Sequence, residues 1–404
     1  MSNFAFGTYR ISDLNPQHIE ALKEAIESGI TMIDTSSNYM DGEAERAIAL
    51  AFRSCEDKIN DVEIVSKFGY IQGSNLESHK ENPVEDVVEY SEDCYHSIAP
   101  SFLHNQLTLS LKRLERTKIG CYLIHNPEYY LYDAIQKGID KDERLDEMYV
   151  RIEAAFIALE EEVKEQRIGS YGISSNSFSK DHNSEEFLPY EDLITLAQNA
   201  SQKVGNDKHS FTTVQLPINI LEQDGLKCAS WAKENGIRVL ANRPLNAQFN
   251  NKMYRLAEYE EPQEYYHHLN ELMEVSDNDT LRAFFNLLEQ LDKSKHKFGW
   301  ISDYDNFLYS QIIPHIRKVL EAIDEKNRDT MFNFIDLFLQ EYRKMVSFEC
   351  GKNTRRELDT YFNACENSLQ ICAINFLIQR DNIDYILVGM RKPSYVHEIL
   401  ALEE

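Results

Sequence analysis

The sequence predicts an α/β fold, a (β/α)8 TIM barrel carrying one large helical insertion. Three observations lead there. Short β-rich runs alternate with longer helical stretches, the pattern of repeated βα units and a parallel sheet. Eight such runs can be read, the number that closes a barrel. Finally Asp34, Lys67 and His125 close three of these runs, with Tyr39 just beyond Asp34. Polar groups at strand carboxyl ends converge on the one face where barrels of this kind do chemistry.

The strands are expected around Phe4–Tyr9, Thr31–Thr35, Val62–Lys67, Cys121–His125, Gly169–Ser174, Thr212–Leu216, Arg238–Asn242 and Tyr385–Gly389. Between the first two, Asn15 before Pro16 marks a helix start, because Asn caps orphan amides and Pro tolerates the first turn. Ile19, Leu22 and Ile26 form its apolar stripe, and Gly29 suits the left-handed position after it. Ile152, Phe156, Leu159 and Val163 form another stripe, ending before Gly169.

Two stretches exceed a minimal barrel. Tyr70–Ser97 is polar, carries Gly73 and Pro83, and reads as a long loop after the third strand. Residues 248–359 read as a helical insertion, leaving 1–247 and 360–404 for the barrel. Its stripes are Leu308, Ile312, Ile316, Leu320 and Ile323, then Phe332, Ile335, Phe338 and Tyr342. Pro314 should start or kink the first of these helices. Leaving the seventh strand at its carboxyl end, the insertion is expected over the catalytic face, as a lid or specificity element or else as a structural or oligomerising subdomain. Its aromatics (Tyr254, Tyr259, Tyr265, Tyr266, Phe284, Phe285, Phe298, Trp300) either line a pocket or form its own core.

With 404 residues the chain has room for a barrel plus this insertion. A formal charge of −26 argues against nucleic acid or an anionic membrane as partner. Seven cysteines are scattered without CxxC or Cys/His ligand spacing, so neither a disulfide framework nor a metal site is expected. No secretory signal or bilayer-length apolar run is present, and a cytoplasmic location is expected.

An acid, a phenol, an amine and an imidazole on one face make a proton-donating site. Tyr39 is the candidate general acid, and a free phenol with a pKa near 10 releases its proton poorly at neutral pH. A nearby ammonium, Lys67, is expected to lower that value, with Asp34 holding Lys67 in a buried ion pair. His125 would hydrogen-bond and orient a substrate carbonyl. No side chain here is a reductant, so a bound hydride donor is implied.

This quartet, in IDTSSNY, VSKFGY and LIHNPE, resembles the active-site tetrad of the aldo-keto reductases. The likeness continues through GISSN, VQLPIN, RPL and VGMRKP, over roughly residues 4–245 and 366–402. It implies a nicotinamide site, with Ser175, Asn176 and Gln215 at the carboxamide. It also implies Asn242, Arg243 and Leu245 along the pyrophosphate, and Gly389, Arg391, Lys392, Tyr395 and Glu398 at the adenosine end. Arg391 and Lys392 either pair with a 2′-phosphate, favouring NADP(H) over NAD(H), or are solvated charge. Asn242 stands where many members place an aromatic, and Tyr395 and Ile399 depart from the usual residues. The resemblance implies an NADPH-dependent oxidoreductase interconverting an aldehyde or ketone and its alcohol, its partner a small molecule. The alternative is a cofactor-binding regulatory or scaffold protein that docks through the insertion.

Overall fold

The structure, a computed structural model, describes residues 3–274, 282–321, 325–362 and 365–403. The strands in chain order are β1 (Phe4–Gly7), β2 (Met32–Asp34), β3 (Glu63–Phe68), β4 (Tyr70–Ile71), β5 (Val88–Ser91), β6 (Cys94–His96), β7 (Ile119–His125), β8 (Ile168–Ser174), β9 (Phe211–Pro217), β10 (Arg238–Asn242), β11 (Asn246–Phe249), β12 (Lys252–Arg255) and β13 (Tyr385–Val388). Eight of them close a parallel barrel in the order β1-β13-β10-β9-β8-β7-β3-β2. Because β1 pairs with both β2 and β13, the sheet has no open edge. All eight lie where the sequence predicts them, with ends shifted by at most two residues.

The chain divides into two compact units, residues 1–244 with 375–404, and residues 245–374. Inside the barrel Ala5, Met32, Val65, Cys121, Leu123, Leu240 and Leu387 pack together, each from a strand and each buried. Burying this apolar set is what drives closure. The outer helices follow their sequence signals. Helix Pro16–Glu27 starts with the Asn15 side chain accepting from the Gln17 amide, buries Leu22 and Ile26, and is followed by Gly29 at φ +94°. Helix Lys141–Lys164 buries Ile152, Phe156 and Leu159, and Asp140 caps it by accepting from the Asp142 amide.

One expectation is overturned here. The stretch from Tyr70 to Ser97 is not a long loop but a three-stranded antiparallel sheet, β4-β6-β5, with helix Ser74–Glu81 between β4 and β5. Its strands are two to four residues long and half exposed, too short to show an alternating pattern in the sequence.

The second unit begins with the hairpin β11–β12, turned by Asn250 and Asn251 at φ 48° and 60°, the left-handed pair that suits a two-residue turn. Helices follow, the longest Glu325–Glu357. Their core joins Tyr265, Tyr304, Ile312, Ile316, Phe338 and Tyr342. Tyr265 donates to Asp292 at 2.5 Å and Tyr342 to the Leu291 carbonyl at 2.6 Å, satisfying two buried phenols. Pro314 lies in the first turn of helix Ile313–Glu321, where a missing amide is tolerated. Directly ahead of it, Leu308–Ile312 form a π-helical turn, the irregularity that joins this helix to the preceding one. Phe332 is more than half exposed and leaves the predicted stripe, while Ile323 and the side chains of Phe284 and Phe285 lie outside the described residues.

Cysteine usage departs too. Cys365 and Cys372 form a disulfide, where none was expected, and the spacing of seven carries no recognisable signal. Among the described residues no helix is long and apolar enough to cross a membrane, and no cluster of potential ligands could hold a metal ion.

Candidate active site

Parallel strands deliver their carboxyl ends to one rim, and the predicted quartet stands there. Asp34 ends β2, Lys67 is the penultimate residue of β3 and His125 ends β7. Tyr39 follows Asp34 at the start of a short turn in which Met40, Asp41 and Gly42 all take positive φ. That run reverses the chain, and Asp41 anchors it by accepting from the Ser74 amide at 3.2 Å and hydroxyl at 2.7 Å.

The four side chains are brought together. The Lys67 ammonium, fully buried, donates to the Asp34 carboxylate at 2.8 Å, to the Thr35 carbonyl at 2.8 Å and to the Tyr39 phenol at 3.2 Å. Gln215 donates to the other Asp34 oxygen at 2.7 Å. Tyr39 packs edge-on against Tyr9 and His125, with centroids 5.3 Å and 6.0 Å apart. His125 Nδ1 lies 3.1 Å from Ser36 Oγ, and Tyr70 from β4 covers its ring edge-on at 4.8 Å. His96 from β6 meets the His125 carbonyl at 2.7 Å. Gly69, at φ +149°, lets these groups meet, since a Cβ there would sit 2.6 Å from both the His125 oxygen and the His96 ring.

Burial sets the electrostatics. It pushes the Asp34 carboxyl up and the Lys67 ammonium down, and each ion works against the other's shift. Burial, followed by Lys67 and His96, holds His125 well below its usual value, so the imidazole is neutral. Tyr39 corrects an expectation. Burial, with Asp34 and Tyr9 adding to it, raises the phenol well above 10, whereas the sequence led us to expect a net lowering by Lys67. Tyr39 is therefore a phenol that keeps its proton.

The predicted cofactor residues fall into three groups. At the ends of β8, β9 and β10, Ser174 donates to Gln215 Oε1 at 3.0 Å and Asn242 Nδ2 approaches the same oxygen at 3.5 Å. Gln215 thus serves Asp34 with its amide nitrogen and its strand neighbours with its oxygen. Ser175 Oγ donates to Glu128 at 2.8 Å, as does the Asn176 amide at 2.8 Å. Glu128, fully buried, was not singled out from the sequence. Burial pushes its carboxyl up to about 7 despite these donors. Arg243, at φ 54°, is ion-paired with Glu222 at 2.6 Å, where a charge free for phosphate was expected. Leu245 belongs to the second unit.

After β13, Arg391, Lys392 and Glu398 are exposed, and the Lys392 ammonium sits 5.8 Å from the Tyr395 ring centre. A Cβ at Gly389 would meet the Gly7 oxygen only at 3.8 Å, so packing within the chain does not require glycine there. Arg391 does share a pocket with one member of the quartet, Tyr39. It lines a pocket of about 540 Å³ with Tyr39, Tyr9, Arg10, His18, Asn38 and Gln72. A larger hollow of about 770 Å³, beside Tyr130 and Arg151, contains none of the strand-end residues.

The chain matches the family model of the Aldo/keto reductase family over residues 3–404. No curated protein sequence matches it significantly. Among solved structures it is similar to aldo-keto reductase AKR11C1 from Bacillus halodurans (holo form), at 18% identity over 60% of this chain and 62% of that one, with a TM-score of 0.41. An aldo/keto reductase from Klebsiella pneumoniae in complex with NADP and acetate matches at 13% identity, over 100% of this chain and 86% of that one, with a TM-score of 0.48. Another aldo-keto reductase from Klebsiella pneumoniae, in complex with NADPH, matches at 20% identity, over 61% and 64%, with a TM-score of 0.36. The match spans less than two thirds of the first and third of these proteins. The family match covers nearly the whole sequence, and on it the chain belongs to the aldo/keto reductase family.

Proposed function

We propose that the protein is an NADPH-dependent oxidoreductase interconverting an aldehyde or ketone and its alcohol, with Tyr39 as proton donor. The observation that carries this reading is the continuous contact Asp34–Lys67–Tyr39, at 2.8 Å and 3.2 Å, opening on a pocket. A phenol kept neutral by burial holds its proton until a substrate oxygen begins to gain negative charge. The Lys67 ammonium then stabilises the phenolate left behind, which gives a poor acid the right environment.

The residues present fit a nicotinamide cofactor. At the end of β10, Asn242 Oδ1 and Arg243 Nε are buried without hydrogen-bond partners among the described residues, one an acceptor and one a charged donor. An amide-bearing, phosphate-bearing ligand supplies the complement to both. Asn176, with a side-chain amide unpaired among the described residues, and Ser175, steadied by Glu128, would hold the carboxamide, alongside Gln215. Arg391 and Lys392 would meet the 2′-phosphate, with Gly389, Tyr395 and Glu398 at the adenosine end. When bound, the cofactor supplies and recovers hydride.

Titration of intrinsic fluorescence with NADPH and NADH, followed by a carbonyl-substrate screen on wild type and Tyr39→Phe, tests the proposal. Binding with an NADPH preference and turnover lost in Tyr39→Phe is the expected result. Full turnover in that variant removes Tyr39 as donor, and failure to bind either nucleotide removes the oxidoreductase reading.

A further inference from the structure

His125 is the last residue of β7, and the barrel ladder supports it on one side only. Toward β8 the pairing runs to the end, with His125 opposite Ser174. Toward β3 it stops one residue short, at Ile124 opposite Phe68. The chain then turns sharply, with Asn126 at φ 52°, a conformation asparagine tolerates better than most residues. The peptide unit joining His125 to Asn126 is held at both of its polar atoms. The Asn126 amide donates to the Ser174 carbonyl at 2.7 Å, and the His125 carbonyl meets His96 Nε2 at 2.7 Å. A carbonyl oxygen can only accept, so His96 carries a proton on Nε2 and donates it there. Burial holds the His96 imidazole down to about 4, so the ring is neutral at neutral pH and this bond selects its tautomer. His96 is itself firmly placed. It lies on the middle strand of the sheet β4-β6-β5, opposite Tyr70 and Val88. The residue is 2% exposed, and its ring stacks on Tyr129 at 5.1 Å and meets Tyr70 edge-on at 5.6 Å.

We infer that His96 is a positioning residue: by holding the His125 carbonyl, it lets the sheet β4-β6-β5, and not the barrel alone, set where the His125 imidazole stands. The bond replaces the ladder contact that β3 no longer supplies at this position. Rotation of a peptide plane changes ψ of the residue before it and φ of the residue after it together. Turning the His125–Asn126 plane over therefore relieves the positive φ at Asn126, and without His96 only the bond to Ser174 opposes it. Such a turn redirects the backbone that carries His125 and moves its ring relative to Tyr39, 6.0 Å away between centroids. The catalytic consequence rests on the function proposed above, with His125 orienting the carbonyl that Tyr39 protonates, whereas the hold on the peptide does not.

Steady-state kinetics and NADPH titration of His96→Leu and His96→Gln test this. Leucine cannot donate, whereas the glutamine amide is long enough to reach the same carbonyl. His96→Leu should lower kcat on the order of ten- to hundred-fold, the effect of a misplaced group, with NADPH affinity unchanged. His96→Gln should recover most of that loss. Wild-type kcat in His96→Leu overturns the inference. Equal impairment of the two variants does so too, because packing of the ring would then be its whole role. Should His96→Leu fail to fold, His96→Asn replaces it, with an amide one methylene too short to reach. Ring-nitrogen NMR of the full chain labelled with ¹⁵N-histidine, at neutral pH and without nucleotide, gives a second readout. Wild type should show a pyrrole-type Nε2 at His96, and the His125 signals should shift in His96→Leu but not in His96→Gln. A pyridine-type Nε2 at His96, or His125 signals unmoved in His96→Leu, overturns the inference. Failure of wild type to bind nucleotide or turn over any carbonyl removes the proposed function instead, and these spectra then decide the hold on the peptide.

Discussion

Replacing Lys67 by methionine separates the electrostatics of the site from its packing. Methionine fills nearly the same volume, so little cavity forms, but Asp34 loses the ammonium at 2.8 Å and keeps only the Gln215 amide at 2.7 Å. Removing one member of a buried pair costs about 3–5 kcal/mol, because the surviving charge stays buried and unpaired. For a unit of this size that amounts to a fall in melting temperature of roughly 6 to 20 °C. The sign of the pH dependence follows from Asp34. Its carboxyl is already raised by burial, and loss of Lys67 raises it further. A group raised in the folded state contributes stability below its unfolded pKa that is lost as pH rises through the folded value. The deficit of Lys67→Met should therefore be larger near pH 8 than near pH 5. Adding Asp34→Asn removes the orphaned charge and should recover part of the loss. Circular dichroism melts of wild type and both variants at the two pH values check this. A Lys67→Met protein that melts with wild type, or a double variant no more stable than the single one, refutes the buried-pair argument.

Other consequences are more local. Tyr39→Phe should lower kcat by about two to four orders of magnitude while leaving nucleotide-induced fluorescence quenching intact, as stopped-flow and titration would show. Glu128, raised to about 7 from 4.5, contributes stability present below 4.5 and lost as pH rises through 7. Glu128→Gln should flatten about 3 kcal/mol of that slope in urea unfolding series across this window. Glu222→Gln frees the Arg243 guanidinium from its 2.6 Å pair and should tighten NADPH binding roughly two- to five-fold in equilibrium titration. Arg391→Ala should weaken NADPH binding about ten-fold or more and NADH binding far less, if its charge meets the 2′-phosphate.

How much of this was legible in the sequence depends on how local the cause is. The barrel strands and the quartet could be read because each rests on a short apolar run followed by a polar residue, a pattern contained within a few positions. The sheet of β4, β5 and β6 could not, since pairs such as Tyr70 with His96 are fixed by contacts across the fold and leave no periodic trace. The same holds for Glu128. Its sequence context shows only an acid after a proline, and its importance arises when the turn after β8 presents Ser175 and Asn176 to it. Arg243 was read as a cation, but its partner Glu222 comes from the loop after β9, so its charge is committed by topology.

The Tyr39 correction shows the same division between residue type and environment. Sequence logic placed an ammonium beside a phenol and concluded that the phenol should become more acidic. The structure adds burial, which acts on every charge in the site and favours neutral phenol over phenolate. In the proton transfer proposed above, the two effects act at different moments. Before transfer, burial and the Asp34 charge keep the proton on Tyr39, so the donor is loaded at neutral pH. During transfer, the phenolate gains the attraction of the fully buried ammonium at 3.2 Å. A site with Lys67 alone and no burial would release its proton to solvent too readily, and one with burial alone would not release it. The Tyr39 phenol should accordingly remain un-ionised in wild type well past the pH at which free tyrosine titrates, in ultraviolet difference spectra referenced to Tyr39→Phe. A normal titration for that one phenol would mean that burial does not govern its proton, and the loaded-donor argument would fail with it.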